Sequence, residues 1–158
     1  MGGTRGGGGH TSGIQGDLFH DPGRGDDAVE KYLPALAGAA QVHQPGELFS
    51  YCNSGYVVLG RLVEVLRGKP FDAVLRERLA DPLGLTHVAT NADEAILFRA
   101  AVGHIEREPG AGFVPTPIWA LPASNAPAGS RLAMSARDDH HGAHFLHTSR
   151  AMTREPAR

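Results

Sequence analysis

Cysteine, lysine and tryptophan are scarce in this chain of 158 residues, and two kinds of segment are missing. The single cysteine, Cys52, excludes an internal disulfide, so the thiol content does not reveal the compartment. No run of about 18 apolar residues occurs, which excludes an ordinary membrane-spanning helix. No basic block occurs and the net charge is −2, so nucleic acid is not an expected partner.

Residues 1–9 are dominated by glycine and lack the apolar core of a secretory signal. Glycine loses more backbone entropy on ordering than any other residue, so we expect a flexible tail here. Nothing in this chain directs export, which leaves the localisation unknown, with the cytoplasm as the default.

Residues 44–61 combine a turn, a Tyr-x-Asn triplet and the start of an apolar helix. Pro45-Gly46 is a strong turn signal. Asn53 or Ser54 is expected to cap the helix, because a short polar side chain accepts a hydrogen bond from a free N–H of the first turn. Tyr51 and Asn53 are then displayed at a helix N-terminus, where a phenol and an amide can serve chemistry.

Two further helical patterns surround this triplet. The helix after it runs from about Gly55 to Arg67, is apolar most of the way round, and is predicted to be buried, with Gly68 as its C-cap. A second helix opens at Pro70 and stops at Pro82.

Upstream and downstream the signals are shorter. Asp26 or Asp27 is predicted to cap a short helix. Its apolar positions are Ala28, Val29, Tyr32 and Leu33. Beyond residue 85 the pattern becomes extended, and segments 100–105 and 112–119 are predicted to form a β-hairpin.

Four pieces of the sequence occur in a characteristic order. The pieces are His10-Thr-Ser-Gly-Ile14, the stretch from Pro45 to Arg61 with its triplet, Asp81-Pro-Leu-Gly-Leu-Thr86, and Ala128 to Asp138. A Tyr-x-Asn triplet alone would be weak evidence, because it occurs often by chance. Together and in this order, the four pieces resemble serine hydrolases of the β-lactamase family, which includes class C β-lactamases, D,D-peptidases and related esterases.

The resemblance implies an α/β fold of the β-lactamase/transpeptidase type, of which this segment covers mainly the helical part plus a short β-hairpin. It also implies three parts in the chain. These are a flexible tail (1–9), a partial β-lactamase-like domain (10–138) and a divergent, disordered His-rich tail (139–158).

In that family a Ser-x-x-Lys serine attacks an acyl carbonyl, the tyrosine and the lysine transfer the proton, and the asparagine binds substrate. By matching position, the resemblance makes Tyr51 the candidate general base and Asn53 the candidate substrate-binding amide. A tyrosine with an ordinary pKa of about 10 is a poor base unless neighbouring cations lower that pKa. The intact family takes a small-molecule acyl substrate and needs no cofactor.

No Ser-x-x-Lys motif occurs in this chain, since its two lysines, Lys31 and Lys69, follow Ala28 and Leu66 by three positions. No Lys-Thr-Gly element occurs either. The sequence therefore indicates a truncated serine hydrolase that is inactive alone. A nucleophilic role for Ser12, two residues after a histidine, is disfavoured, because sequence proximity supplies neither a base in reach nor a group to orient it.

The alternative is a non-catalytic module that binds a small molecule or a metal through the histidines near the C-terminus. The spacing of these side chains would place several imidazoles on one side of a helix, as a zinc or nickel site requires. They are His140, His141, His144 and His147. A shifted reading frame and disorder explain the same segment without a metal.

An uncovered apolar helix face is also expected. Without the rest of a complete domain, part of the helix after the triplet would remain open, which predicts aggregation, partial unfolding, self-association or a complementing chain. The residues of this face are Val57, Val58, Leu62 and Val65.

Overall fold

The structure, a computed structural model, describes residues 9–118, 121–140 and 142. Its elements in chain order are α1 (Ala28–Tyr32), a first 3₁₀ segment (Leu33–Gly38), α2 (Asn53–Arg67), α3 (Phe71–Leu75), a π-helical turn (Arg76–Ala80), β1 (Val88–Ala89), α4 (Ala92–Ala95), β2 (His104–Glu106), β3 (Phe113–Pro115), a second 3₁₀ segment (Ala123–Ala128) and β4 (Ala133–Met134). The predicted mixture of helices with a short hairpin is confirmed. In the described ranges, no helix is both long and apolar enough to span a bilayer.

Helix α2 begins two residues earlier than predicted, and the predicted caps are wrong. The N-cap is Cys52, whose thiol accepts a hydrogen bond of 3.2 Å from the Gly55 N–H. Asn53 and Ser54 lie inside the helix, and their side chains bind other groups: Asn53 donates to the Asp17 carboxylate, and Ser54 donates to the Gly16 carbonyl oxygen. The C-terminus ends as predicted at Gly68, which is left-handed with φ of 62°.

The prediction that α2 is a buried helix is wrong for one of its faces, because its neighbours cover only the other face. The second 3₁₀ segment, α1 and α3 pack against that face. This covered face of α2 carries Val57, Gly60 and Glu64. The opposite face carries Val58, Leu62, Val65 and Leu66, which are exposed. Val57 thus leaves the predicted uncovered set, and the other three members stay in it.

Two contacts hold the covered face of α2 together. A Cβ atom at Gly60 would overlap the ring of Pro127, so only glycine lets the second 3₁₀ segment approach this closely. The buried Glu64 carboxylate binds the Arg61 guanidinium at 3.1 Å and accepts a bond of 3.0 Å from the Phe71 N–H. This carboxylate therefore links α2 to the start of α3.

The apolar core has two small parts. The first consists of Val29, Tyr32 and Val57, where α1 meets α2. The second consists of Ala80, Leu85 and Val88, below the antiparallel pair of β1 and β4.

The hairpin of β2 and β3 is confirmed, although it is shorter than predicted. Ile105 pairs with Val114, and Glu106, which was expected in the loop, pairs with Phe113. All residues of both strands are exposed, so the hairpin contributes little to the core.

The predicted capping bond at the start of α1 is wrong. Asp27 occupies the N-cap position, but its side chain makes no capping hydrogen bond. Its carboxylate binds the Lys31 ammonium at 2.8 Å instead, and that hydrogen bond lowers the pKa of Asp27. The Ala28 N–H donates to the Gly25 carbonyl oxygen at 3.0 Å, so the helix start is satisfied by the backbone.

Candidate functional site

The loop that carries Tyr51 starts in a tight turn at residues 44–47. The Glu47 N–H donates to the Gln44 carbonyl oxygen at 3.1 Å, and Gly46 between them has φ of 86°. A positive φ at the third position, after proline at the second, is typical of a type II turn. The Glu47 carboxylate also accepts a hydrogen bond of 3.1 Å from the Gln44 N–H, so a side-chain bond joins the two ends of the turn as well.

Residues 10–16 run beside this loop and hold it by backbone hydrogen bonds. The Val42 N–H donates to Gly13 O at 2.7 Å, the Gly46 N–H to Thr11 O at 2.7 Å, and the Ser50 N–H to His10 O at 2.7 Å. Residue Gly16 lies so close to the Tyr51 carbonyl oxygen that a Cβ atom would overlap it. The backbone of Tyr51 is thus bounded by this segment.

The Tyr51 side chain is 59% exposed, and its ring stacks on the His10 ring with centroids 4.4 Å apart and an interplanar angle of 24°. The His10 Nδ1 atom accepts a hydrogen bond of 3.0 Å from the Cys52 N–H. No hydrogen bond joins the Tyr51 hydroxyl to another described residue. The phenol ring is therefore held by its stacked face and by the backbone around it, while the residue stays largely open to solvent.

The Cys52 thiol links the same segment to α2. It is fully buried, accepts from Gly55 N–H, and receives a weak hydrogen bond of 3.4 Å from the Ser12 hydroxyl. The Ser12 oxygen also accepts from the Ile14 N–H at 3.3 Å, so its side chain stabilises the local turn. Ser12 thus has structural partners, and no histidine ring is bonded to its hydroxyl among the described residues.

Asn53 lies on the first turn of α2 and is half-buried. Its Nδ2 atom donates to the Asp17 carboxylate at 2.9 Å. One N–H and the carbonyl oxygen of the amide remain for other groups, because an asparagine side chain carries two donors and one acceptor oxygen. Tyr51 and Asn53 therefore stand on either side of the buried Cys52, at the N-terminal end of α2.

Both lysines are engaged away from Tyr51. Lys31 binds Asp27 within α1, and Lys69 binds Glu77 across the start of α3. The hydrogen bond from Lys69 lowers the pKa of the Glu77 carboxyl.

A cavity of about 1030 Å³ opens on another side of the molecule, between α1, α3, α4 and the second 3₁₀ segment. Tyr51 and Asn53 do not line it. Its carboxylates outnumber its guanidinium groups, and burial raises the pKa of one of them, Asp72, against the opposing effect of Arg131. Because Tyr51 and Asn53 lie outside this cavity, we do not take it as the candidate site, despite its volume.

The predicted histidine cluster falls mostly outside the described residues. Only His140 is described, in the helical residues 136–140, whereas His141, His144 and His147 are not. Within the described ranges, no group of three or more His, Cys, Asp or Glu side chains is arranged to hold a metal ion. Metal binding by the four histidines stays a prediction.

Comparison with known families identifies the fold and the ancestry. A family model described as Beta-lactamase matches residues 9–153. The chain belongs to the β-lactamase family. It is therefore a member of a family of serine hydrolases that act on small molecules.

Relatives of this family member include penicillin-binding protein 4 from Amycolatopsis lactamdurans, 45% identical over 130 residues, which are 82% of this chain and 34% of that protein. A D-aminopeptidase from Brucella anthropi is 33% identical over 97 residues, which are 58% of this chain and 18% of that protein. The chain thus spans about a third of the length of penicillin-binding protein 4.

Solved structures of the β-lactamase fold superpose on most of this chain. The D-amino acid amidase from Ochrobactrum anthropi matches with a TM-score of 0.71 and 22% identity, over 93% of this chain and 44% of that one. A penicillin-binding protein from Bacillus halodurans matches with a TM-score of 0.69 and 23% identity, over 88% of this chain and 44% of that one. The β-lactamase/transpeptidase fold predicted from the sequence is confirmed.

Two neighbours of the triplet and one role within it were not predicted from the sequence of this family member. The neighbours are His10 against Tyr51 and Asp17 on Asn53, and the role is that of Cys52 as the N-cap of α2. The His10-Thr-Ser-Gly motif was the available signal, but nothing in it shows that a ring reaches residue 51. Cysteine is not among the preferred capping residues, which is why Cys52 escaped notice.

Proposed function

We propose that this chain supplies the Tyr-x-Asn part of an acyl-transfer site, in which Tyr51 takes the proton of a serine nucleophile and Asn53 holds the acyl substrate. One observation carries the proposal: Tyr51 is 59% exposed, while its backbone and its ring are both held in place. A general base must be open to the proton it removes and must also be fixed in direction.

The nucleophile and the activating cation of this reaction come from outside the residues of this chain. It contains no Ser-x-x-Lys motif, and both lysines bind carboxylates elsewhere. We therefore propose that the chain alone does not turn over substrate and that activity needs the further sections present in its longer relatives.

The substrate class proposed is a small acyl compound, namely a β-lactam, a D-alanyl peptide or a simple ester. The support is chemical: the relatives are named for penicillin binding, for D-amino acid amides and for D-aminopeptidase activity. Attack on an acyl carbonyl is common to these reactions, and it needs a proton acceptor for the nucleophile in each case.

A chimaeric protein tests the role of Tyr51. The whole 158-residue chain replaces the matching section of penicillin-binding protein 4, and acylation by a fluorescent penicillin is followed with time. Tyr51→Phe is expected to slow acylation by at least about 100-fold, since loss of a general base removes two or more orders of magnitude. The melting temperature should stay the same, because the lost hydroxyl bonds no described residue. Equal acylation rates in the two proteins would refute the role of Tyr51.

A matched pair of variants in the same chimaera distinguishes the role of the Asn53 amide from that of its hydrogen bond to Asp17. Asn53→Ala should weaken substrate use by about tenfold, which corresponds to one lost hydrogen bond. Asp17→Ala removes the Asp17–Asn53 bond but keeps the amide, so its acylation should stay within a few-fold of the parent. Equal losses in the two variants would assign Asn53 a structural role only.

A further inference from the structure

His10 is bonded to both chain neighbours of Tyr51. The Ser50 N–H donates to the His10 carbonyl oxygen at 2.7 Å, and the Cys52 N–H donates to His10 Nδ1 at 3.0 Å. The ring of Tyr51 itself lies on the His10 ring, with centroids 4.4 Å apart. One residue thus holds the backbone of Tyr51 on each side and the ring between them.

The two other aromatic side chains next to His10 fix its ring in turn. Phe49 meets it edge-on with centroids 5.5 Å apart, and Tyr56 lies at 5.2 Å with an angle of 51°. These contacts come from the loop before Tyr51 and from the first turns of α2. The orientation of the His10 ring is therefore set from more than one element.

The hydrogen bond to Nδ1 determines the protonation form of His10. A backbone N–H can only donate, so Nδ1 must offer a lone pair, and the ring proton of the neutral imidazole must be on Nε2. A doubly protonated ring has no acceptor and cannot keep the Cys52 bond. Among the described residues, the titratable side chains whose rings contact His10 are Tyr51 and Tyr56.

The backbone of His10 supports a specific role. Its φ of 55° is the one positive value at a residue other than glycine in the described part of the chain. A side chain in the left-handed region is strained, and such strain persists only where the surroundings enforce it. In this conformation the carbonyl oxygen and the ring of the same residue both reach residues 50–52.

We infer that His10, in its neutral form with the proton on Nε2, is a positioning residue for Tyr51. The inference rests on the proposed role of Tyr51 as the base. His10 acts through the Cys52 N–H bond, which fixes the backbone after Tyr51, and through ring stacking, which fixes the direction of the phenol. When the ring takes a second proton, the first of these is lost.

Two substitutions test the hydrogen bond to Cys52 and the ring stacking on Tyr51 separately. In His10→Asn the side-chain oxygen replaces Nδ1 as the acceptor, and asparagine tolerates a positive φ, but the aromatic face is gone. In His10→Phe the face remains and the acceptor is gone. The matched pair therefore changes one contact at a time.

Nuclear magnetic resonance on the full chain gives the first readout. The ¹⁵N shifts of the His10 ring should show the proton on Nε2 near neutral pH. The rate of amide hydrogen exchange at Cys52 should rise at least tenfold in His10→Phe and return toward the parent value in His10→Asn. The ring-current shifts of Tyr51 should persist in His10→Phe and vanish in His10→Asn. A proton on Nδ1, or a Cys52 exchange rate equal in all three proteins, would overturn the inference.

Acylation of the chimaera described above gives the second readout and distinguishes two failures. Both His10 variants should slow acylation at least tenfold, because each variant removes one of the two contacts that hold Tyr51. If Tyr51→Phe acylates at the parent rate, the proposed function fails, and the nuclear magnetic resonance readout alone then decides whether His10 holds Tyr51. If Tyr51→Phe is slow but both His10 variants acylate at the parent rate, the positioning role is refuted.

Discussion

Valine occurs on both faces of α2, in different surroundings. Val57 is fully buried against α1, whereas Val65, two turns further along, is 63% exposed. Leu62 and Leu66 lie exposed with Val65. An apolar residue in a sequence predicts that the position can be buried, but the neighbours of the helix decide whether it is.

The two faces also differ in the precision of their contacts. The covered face has a glycine that fits one proline ring and a buried carboxylate with two partners. The open face offers aliphatic side chains to solvent. Since this chain spans 44% of the D-amino acid amidase whose fold it shares, we expect the open face to be the one that another section or another chain covers.

The largest predicted effect concerns Gly60, on the covered face. Gly60→Val should lower the free energy of unfolding by about 3 kcal/mol or more, because the added atoms overlap the Pro127 ring, which cannot swing aside. Urea unfolding followed by circular dichroism measures the change. Gly38→Ala is the matched control, since a Cβ atom there meets nothing within 4 Å. Identical unfolding of Gly60→Val and the parent would show that the two segments do not pack as described.

The intermediate effect compares the two faces directly. Val57→Ala should lower the free energy of unfolding by about 2 kcal/mol, because two buried methyl groups are removed and a cavity remains. Val65→Ala should change it by less than about 0.5 kcal/mol, as an exposed substitution usually does. The same urea titration measures both. Similar losses in the two variants would mean that the open face is covered in solution, and sedimentation would then identify self-association.

The smallest effect concerns pH and Asp72. Burial raises the pKa of this carboxyl above its ordinary value of 3.8, so the folded state binds more protons than the unfolded state in the range just above 3.8. Stability contributed by protonated Asp72 is complete below that value and is lost as the pH rises through the raised pKa. Asp72→Asn should therefore flatten this part of the stability profile.

Urea unfolding at several pH values between about 4 and 7 checks the Asp72 prediction. Asp93→Asn, at an exposed position on the same cavity, is the control. A steeper fall in stability with rising pH in Asp72→Asn than in the parent would contradict the sign.

The sequence was sufficient where a local pattern decides the structure. Gly68 ends α2 because a left-handed cap favours glycine, and the hairpin forms where extended residues flank a glycine-containing loop. Three of the four pieces that suggested the family lie in turns and caps, where residue type and backbone shape are tightly linked.

The sequence was insufficient where partners lie far apart in the chain. His10 and Tyr51, whose rings stack, are 41 positions apart in the sequence, and Asp17 and Asn53, which share a hydrogen bond, are 36 positions apart. The covered face of α2 packs at Gly60 against Pro127 in the second 3₁₀ segment, and no local pattern could connect that segment to α2. The roles of Tyr51 and Asn53, and the division into segments 1–9, 10–138 and 139–158, stay predictions.

The thiol that caps α2 has a consequence for measuring motion. Cys52 is the single cysteine of the chain and is fully buried, so a thiol reagent can reach it only when residues 10–16 separate from the Tyr51 loop or the end of α2 frays. When closing is faster than labelling, the labelling rate gives the free energy of that opening. The labelling rate of this native thiol therefore reports how often the segment that holds Tyr51 opens, and no cysteine has to be introduced.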